Sequence, residues 1–196
     1  MRNIALVTGA SSGMGKEFVR EISKKYKGLD EIWVVARRRE RLRELKKEII
    51  GTRVRILPLD LMEEESFERL KMVLAKEQPV VRILVNASGY GISGSFEHQT
   101  EEDAAGMIHL NCEALTRITY LVLPYLRRGS FYLSDGIFCG ICSAAEFHSL
   151  CSNQSICEKF LYCIAAGAVL SRDQGDRSMS RASKTEFLTV HMNRKR

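Results

Sequence analysis

Thr8-Gly9-Ala10-Ser11-Ser12-Gly13-Met14-Gly15 is the stretch on which the reading of the fold depends. It follows Ile4-Ala5-Leu6-Val7, a short, wholly apolar run of the kind expected for a parallel strand buried on both faces. It precedes a segment in which Phe18, Val19 and Ile22 fall on one face of a helix. Glycines between a strand and a helix let the backbone turn tightly and approach a pyrophosphate without a Cβ in the way. The start of the helix adds amide donors and the positive end of a dipole. A glycine-spaced string alone is weak evidence; set between a strand and a helix it predicts a cradle for nucleotide phosphates.

Outward from that turn the alternation of strand and helix repeats. Ile32-Trp33-Val34-Val35-Ala36 reads as a second strand, and Leu42, Leu45 and Ile49 mark the apolar stripe of a second helix. Residues 54–57 form a third strand. The helix after it opens with Glu63-Glu64-Glu65, which suits the positive end of a helix dipole, and carries Phe67, Leu70 and Leu74 as its stripe. Residues 80–85 give a fourth strand, followed by a glycine-spaced loop over 88–95 and a long helix from about Glu101 toward Pro124. Repeated βαβ units predict an α/β fold with a doubly wound parallel sheet, Rossmann-like, in a single domain over 1–196. The well-formed part is 1–130. From residue 131 the alternation can no longer be traced, and five of the six cysteines crowd between Cys139 and Cys163, so the C-terminal third reads as degenerate or incomplete.

Composition sets the outer limits. A length of 196 residues, 45% hydrophobic and 28% charged, suits one soluble globular domain with a proper core. The net charge of +6 permits a polyanionic partner without requiring one. Residues 37–47 hold five Arg and two Lys, but Glu40 and Glu44 are interleaved with them, which is the pattern of a solvated helix face rather than of a nucleic-acid contact. The longest apolar stretch, 160–170, falls far short of the ~20 residues a membrane span needs. Met1-Arg2-Asn3 runs straight into the first strand without a signal-peptide layout. The expectation is a cytoplasmic protein with neither nucleic acid nor membrane as a partner.

Cofactor choice in such folds is read at the carboxyl end of the second strand. An acidic residue there holds the ribose 2′-hydroxyl of NAD, whereas a cation accommodates the 2′-phosphate of NADP. This chain has Ala36-Arg37-Arg38 at that point, and a guanidinium can bond a phosphate through two donors, so NADP(H) is expected. Asp60, just past the third strand, could accept the adenine amino group or serve as a helix N-cap ahead of Glu63; the two roles are compatible. Asn86-Ala87-Ser88-Gly89, at the end of the fourth strand, would bring backbone close to the adenosine ribose. Asn111 interrupts the largely apolar run Met107-Ile108-His109-Leu110, either as a hydrogen-bonder in the helix interior or as a residue supporting the site.

Taken in order and spacing, Thr-Gly-Ala-Ser-Ser-Gly-Met-Gly, Ala-Arg-Arg, Leu-Asp-Leu, Leu-Val-Asn-Ala-Ser-Gly-Tyr-Gly and the Asn111 helix resemble the short-chain dehydrogenase/reductase family over about residues 1–130. The resemblance implies that Gly9, Ser11, Gly13 and Gly15 line the pyrophosphate, in a cofactor-binding turn that includes Thr8, Ser12 and Met14. It also implies that Arg37 and Arg38 take the 2′-phosphate, Asp60 and Leu61 the adenine, and Asn86, Ala87 and Ser88 the ribose, with Asn111 supporting a proton relay. The family usually reads Asn-Asn-Ala-Gly where this chain has Asn-Ala-Ser-Gly. By the same resemblance the chain is an NADP(H)-dependent oxidoreductase acting on a small carbonyl or alcohol, in a fold that commonly forms homo-oligomers.

The family's chemistry uses a Tyr as acid/base, a Lys four residues later that lowers the phenol pKa, and a Ser about a dozen residues earlier. No tyrosine of this chain has a lysine four residues after it, and the expected place reads Leu150-Cys151-Ser152-Asn153-Gln154-Ser155. Ser143 matches the catalytic serine by rough position only. The expectation is therefore impaired activity; the alternatives are a non-catalytic NADP(H)-binding module and a non-functional, degenerate gene product. Cys139 and Cys142 have ligand-like spacing, but Cys151, Cys157 and His148 form no second pair, so no metal site is expected. Read one base out of frame with permitted codons, residues 150–155 spell Tyr-Ala-Ala-Thr-Lys, which makes residues 131–183 a frame-shifted segment. The chain also stops where the family continues with a further helix and strand.

Overall fold

The computed structural model describes residues 1–92 and 96–134. Its elements are β1 (Asn3–Thr8), α1 (Gly13–Lys25), β2 (Glu31–Ala36), α2 (Arg39–Glu48), β3 (Arg53–Pro58), α3 (Glu64–Glu77), β4 (Val80–Asn86), α4 (Glu101–Ile108), α5 (Leu115–Val122) and β5 (Leu126–Ser134). The five strands are parallel and lie in the order β3-β2-β1-β4-β5, with β3 on the outside next to β2. The chain thus leaves β1 toward β2 and β3, then returns to the other side of β1 for β4. That reversal opens a crevice between the carboxyl ends of β1 and β4, where ligands bind in open α/β sheets.

Strand periodicity of two divides the core into two layers. Ile4, Leu6, Trp33, Val35 and Leu84 face α3 and α5, meeting Phe67, Leu70, Leu74, Ile118 and Val122. Ala5, Val7, Ile32, Val34, Ile83 and Val85 face α1 and α2, meeting Val19, Ile22, Leu42 and Leu45. Covered on both faces, β2 is buried along its whole length, including Trp33 and Glu31. Glu31 accepts the Trp33 indole N–H at 2.9 Å and faces Arg2 and Arg53, each at 3.4 Å. Arg2 also pairs with Glu77, which takes Arg55 at 3.2 Å, and the Arg55 guanidinium lies 4.8 Å from the centre of the Trp33 ring. These groups occupy the amino edge of the sheet.

Two features depart from the sequence pattern. The boundary at residue 130 falls inside β5: residues 131–134 continue the strand and pair in register with Ile83, Leu84, Val85 and Asn86. Arg127 and Arg128 at its start, a positive φ at Gly129 and a register shift between Val81 and Ile83 hide the alternation. The helix after β4 is not uniform either. A π-helical segment, His109–Ala114, separates α4 from α5, and the chain closes in a 3₁₀ turn, Leu123–Tyr125, containing Pro124. No helix of the described residues is long and apolar enough to cross a membrane.

Candidate functional site

β1 ends at Thr8 and the chain turns at once through Gly9, whose φ of +65° is a conformation L side chains rarely adopt. A Cβ at Gly9 would lie 2.0 Å from the Ala87 carbonyl oxygen, and one at Gly15 would lie 2.4 Å from the Gly9 carbonyl oxygen. The turn is therefore pressed against both the loop after β4 and the first turn of α1, and only hydrogen fits at either position. The Thr8 hydroxyl accepts the backbone N–H of Ala87 at 3.1 Å and of Ser88 at 3.2 Å, tying the ends of β1 and β4 together.

Between these loops lies an open cavity of about 430 Å³. The glycine turn contributes Gly9, Ser11, Ser12, Gly13 and Met14 to its walls; the end of β2 contributes Ala36, Arg37 and Arg38. Leu59, Asp60 and Leu61 after β3 close one side, and Ala87, Ser88, Gly89 and Leu110 the other. Ala36, Leu59 and Leu110 are additions to the residues given a site role from sequence. Their signal is only adjacency to the motifs, since an apolar wall residue leaves no chemical mark.

Four other sequence-named residues stand behind the lining. Thr8 and Gly15 act through the turn as described. Asn111 is buried in the π segment, where its amide oxygen accepts the Tyr90 N–H at 3.0 Å and its amide nitrogen donates to the Tyr90 carbonyl at 2.8 Å. Asn86 turns its amide nitrogen toward the Thr119 hydroxyl (3.1 Å) and the Tyr132 hydroxyl (3.0 Å). Its amide oxygen is buried with no hydrogen-bond partner among the described residues. Ser143, the cysteine cluster and residues 150–155 lie outside the described residues. Ser134 ends β5 opposite Asn86 and is buried, a serine at the sheet's carboxyl edge that the frame-shift reading passes over.

The electrostatics of the cavity come from its surroundings. Arg37 is largely exposed and reaches Asp60 at 3.7 Å. Asp60 also accepts the Met62 N–H at 3.0 Å, as an Asx-type turn; the N-cap of α3 is Glu63, so Asp60 does not cap that helix. Arg38 is the N-cap of α2, with no carboxylate in ion-pair reach among the described residues. The amino terminus of α1 is left open: Ser12 makes no side-chain cap bond and the first turn holds no acidic residue. α4 shows the usual alternative, with Thr100 capping the Asp103 N–H at 3.1 Å and Glu101, Glu102 and Asp103 in its first turn. A helix end without its own anion, beside a glycine-spaced turn and two cations, is chemically complementary to a dinucleotide phosphate.

The profile of the family described as short chain dehydrogenase matches residues 3–149, so the match runs past residue 130. A very-long-chain 3-oxoacyl-CoA reductase of Emericella nidulans is 33% identical over 147 residues, 70% of this chain and 41% of that protein. An NADP-dependent 3-hydroxy acid dehydrogenase of Escherichia coli is 35% identical over 123 residues, 62% of this chain and 48% of the relative. The chain thus spans less than half the length of these curated relatives. Among solved structures, L-sorbose reductase from Gluconobacter frateurii, complexed with NADPH and L-sorbose, superposes with a TM-score of 0.75 at 21% identity. That superposition covers 85% of this chain and 64% of the other. The closed form of serine dehydrogenase, complexed with NADP+, gives 0.72 at 26% identity, covering 84% and 66%.

Proposed function

This chain belongs to the short chain dehydrogenase family, an oxidoreductase family, and from that premise we propose that its cavity holds NADP(H) and serves redox exchange with a small carbonyl or alcohol. The observation that carries the cofactor assignment is the pair Arg37 and Arg38 at the end of β2, on the cavity wall and without an acidic residue at that strand end. Relatives and structural neighbours named for NADP, NADPH or NADP+ support the same choice.

The residues present fit that group. Gly9, Gly13 and the open start of α1 would receive the pyrophosphate, because the backbone can approach it there and the helix dipole favours negative charge. Arg37 and Arg38 would hold the 2′-phosphate through paired guanidinium donors. Asp60 and Leu61 would border the adenine, and Ala87 and Ser88 the ribose. When bound, the nicotinamide supplies or accepts a hydride. What the chain must add is orientation and a proton donor, and the second is where this sequence is poor. No tyrosine is followed four residues on by lysine, and loss of a positioned acid typically costs ~10²–10⁴-fold in rate. On that observation we propose that turnover is impaired; binding without turnover is the second reading.

Fluorescence titration of the full chain separates these. NADPH should bind at least tenfold tighter than NADH, a difference of about 1.4 kcal/mol. Equal affinities would remove the NADP assignment. Steady-state oxidation of NADPH across small ketones, aldehydes and diketones should be barely detectable; a kcat of ~1–10³ s⁻¹ on any of them would show that other residues do the chemistry.

A further inference from the structure

The loop leaving β4 is fastened to α4 at more points than a cavity wall alone requires. Asn111 takes both backbone groups of Tyr90, and the Ile92 N–H lies 3.4 Å from the Met107 sulfur. The Tyr90 side chain adds a third point. Its hydroxyl sits directly over Gly106, so that a Cβ at 106 would lie 2.4 Å from Tyr90 Oη and 4.0 Å from Met62 Cε. Gly106 is inside α4, where glycine weakens a helix and where no positive φ calls for it. The hollow it leaves is occupied by the tip of Tyr90.

Tyr90 itself does not line the cavity, whereas its neighbours Ala87, Ser88 and Gly89 do. Gly89 stands so close to Asn111 that a Cβ there would come within 3.0 Å of the amide oxygen. The distance between this loop and the helical run of α4 and the π segment is therefore set from three sides: by Asn111 at the backbone, by Gly89 at its closest approach to Asn111, and by Tyr90 in the Gly106 hollow. A Cβ at 106 would require the ring tip to leave this hollow. We propose that Tyr90 is a positioning residue for the cofactor cavity and that Gly106 is its socket, an inference that rests on the cavity holding NADP(H).

Helix propensity and the socket predict opposite results for one substitution, which makes the test sharp. Gly106→Ala should strengthen α4 if the glycine has no partner. With a socket, it should displace the Tyr90 ring, lower hydrogen-exchange protection of the Tyr90 amide at least tenfold, and weaken NADPH binding three- to tenfold. Protection in β1 should be unchanged. Tyr90→Phe, which keeps the ring, should stay within twofold of the unmodified chain, whereas Tyr90→Ala should lose affinity. Adding Gly106→Ala to Tyr90→Ala should then cost nothing more. Unchanged protection and affinity in Gly106→Ala, or full additivity of the two changes, would overturn the proposal. Failure of the unmodified chain to bind NADPH would overturn the cofactor reading and the role of Tyr90 toward it. The amide protection reports the socket separately, with no ligand present.

Discussion

The two edges of the sheet use the same five strands in opposite ways. At the amino edge the carboxylates of Glu31 and Glu77 are answered within the fold. Glu31 is shared by Arg2, Arg53 and the Trp33 indole, and Glu77 by Arg2 and Arg55. At the carboxyl edge the cations and the helix start are less fully answered. Arg37 has only a distant Asp60, Arg38 has no carboxylate partner among the described residues, and the start of α1 has neither side-chain cap nor acid. Charge at the first edge is consumed in holding the fold, and charge at the second is held available. The difference teaches that a binding edge is recognised by what its groups lack, and that counting charges without their partners would rank the two edges alike.

The largest effect should separate steric from conformational demand at the carboxyl edge. Gly9→Ala places a methyl 2.0 Å from a backbone carbonyl and forces a positive φ, whereas Gly13→Ala has a positive φ but nothing within 4 Å. The first should cost about 2–4 kcal/mol, from overpacking and left-handed strain together, and the second about 1–2 kcal/mol. Thermal unfolding should show the ordering; equal shifts would mean that the turn relaxes freely. Next in size is Glu31→Gln at the amino edge, which keeps an acceptor for the indole but leaves two arginines without their shared charge. Because Arg2 and Arg53 are 45% and 75% exposed, the loss should be about 1–2 kcal/mol, below that of a fully buried pair. NADPH affinity should not change, and a parallel fall in affinity would break the division between the edges.

Arg37→Asp combined with Arg38→Ala should do the reverse. The preference for NADPH over NADH should vanish, a change of about 1.4 kcal/mol in binding. Stability should move by no more than ~0.5 kcal/mol, as for exposed positions, because the Arg37–Asp60 pair is long and solvent-facing. A marked fall in the melting temperature would show that these arginines are structural after all. The smallest effect is on acid sensitivity. Hydrogen bonding from Arg55, with Arg2 and Arg55 charge adding, holds the Glu77 carboxyl below the ordinary glutamate value of 4.5. A carboxylate depressed in the folded state adds stability above its unfolded pKa and gives it up as pH falls through the folded value. Glu77→Gln should therefore flatten the decline in stability below about pH 4.5. The same decline measured in Arg37→Asp/Arg38→Ala should keep its slope.

Most of this organisation is visible in the amino-acid text, because buried parallel strands must be apolar throughout and their helices must carry stripes. β1 to β4 and α1 to α3 announce themselves in that way. β5 does not: an edge position in the described sheet, an arginine pair and Gly129 remove the apolar run that would mark it. The lining residues with chemistry, such as Arg37, Arg38 and Asp60, stand out beside their motifs, whereas Leu59 and Leu110 look like any core leucine. Asn111 could be seen as an anomaly in an apolar run, but its partner could not, since a bond to the Tyr90 backbone depends on the π segment that aims the side chain. Gly106 gives no signal without Tyr90 above it.

The outer position of β3 in the described sheet has a consequence for how molecules of this chain meet one another. An outermost strand offers a row of unpaired backbone groups to any strand that comes alongside, and sheets can grow between chains by that route. β3 begins Arg53-Val54-Arg55 and ends in Pro58, which has no N–H to offer. A second copy pairing along it in parallel would bring two more arginines against this pair and would meet a missing donor at the far end. Arg53 and Arg55, which answer Glu31 and Glu77 inside one molecule, thus also place positive charge along the strand that a neighbouring chain would have to approach.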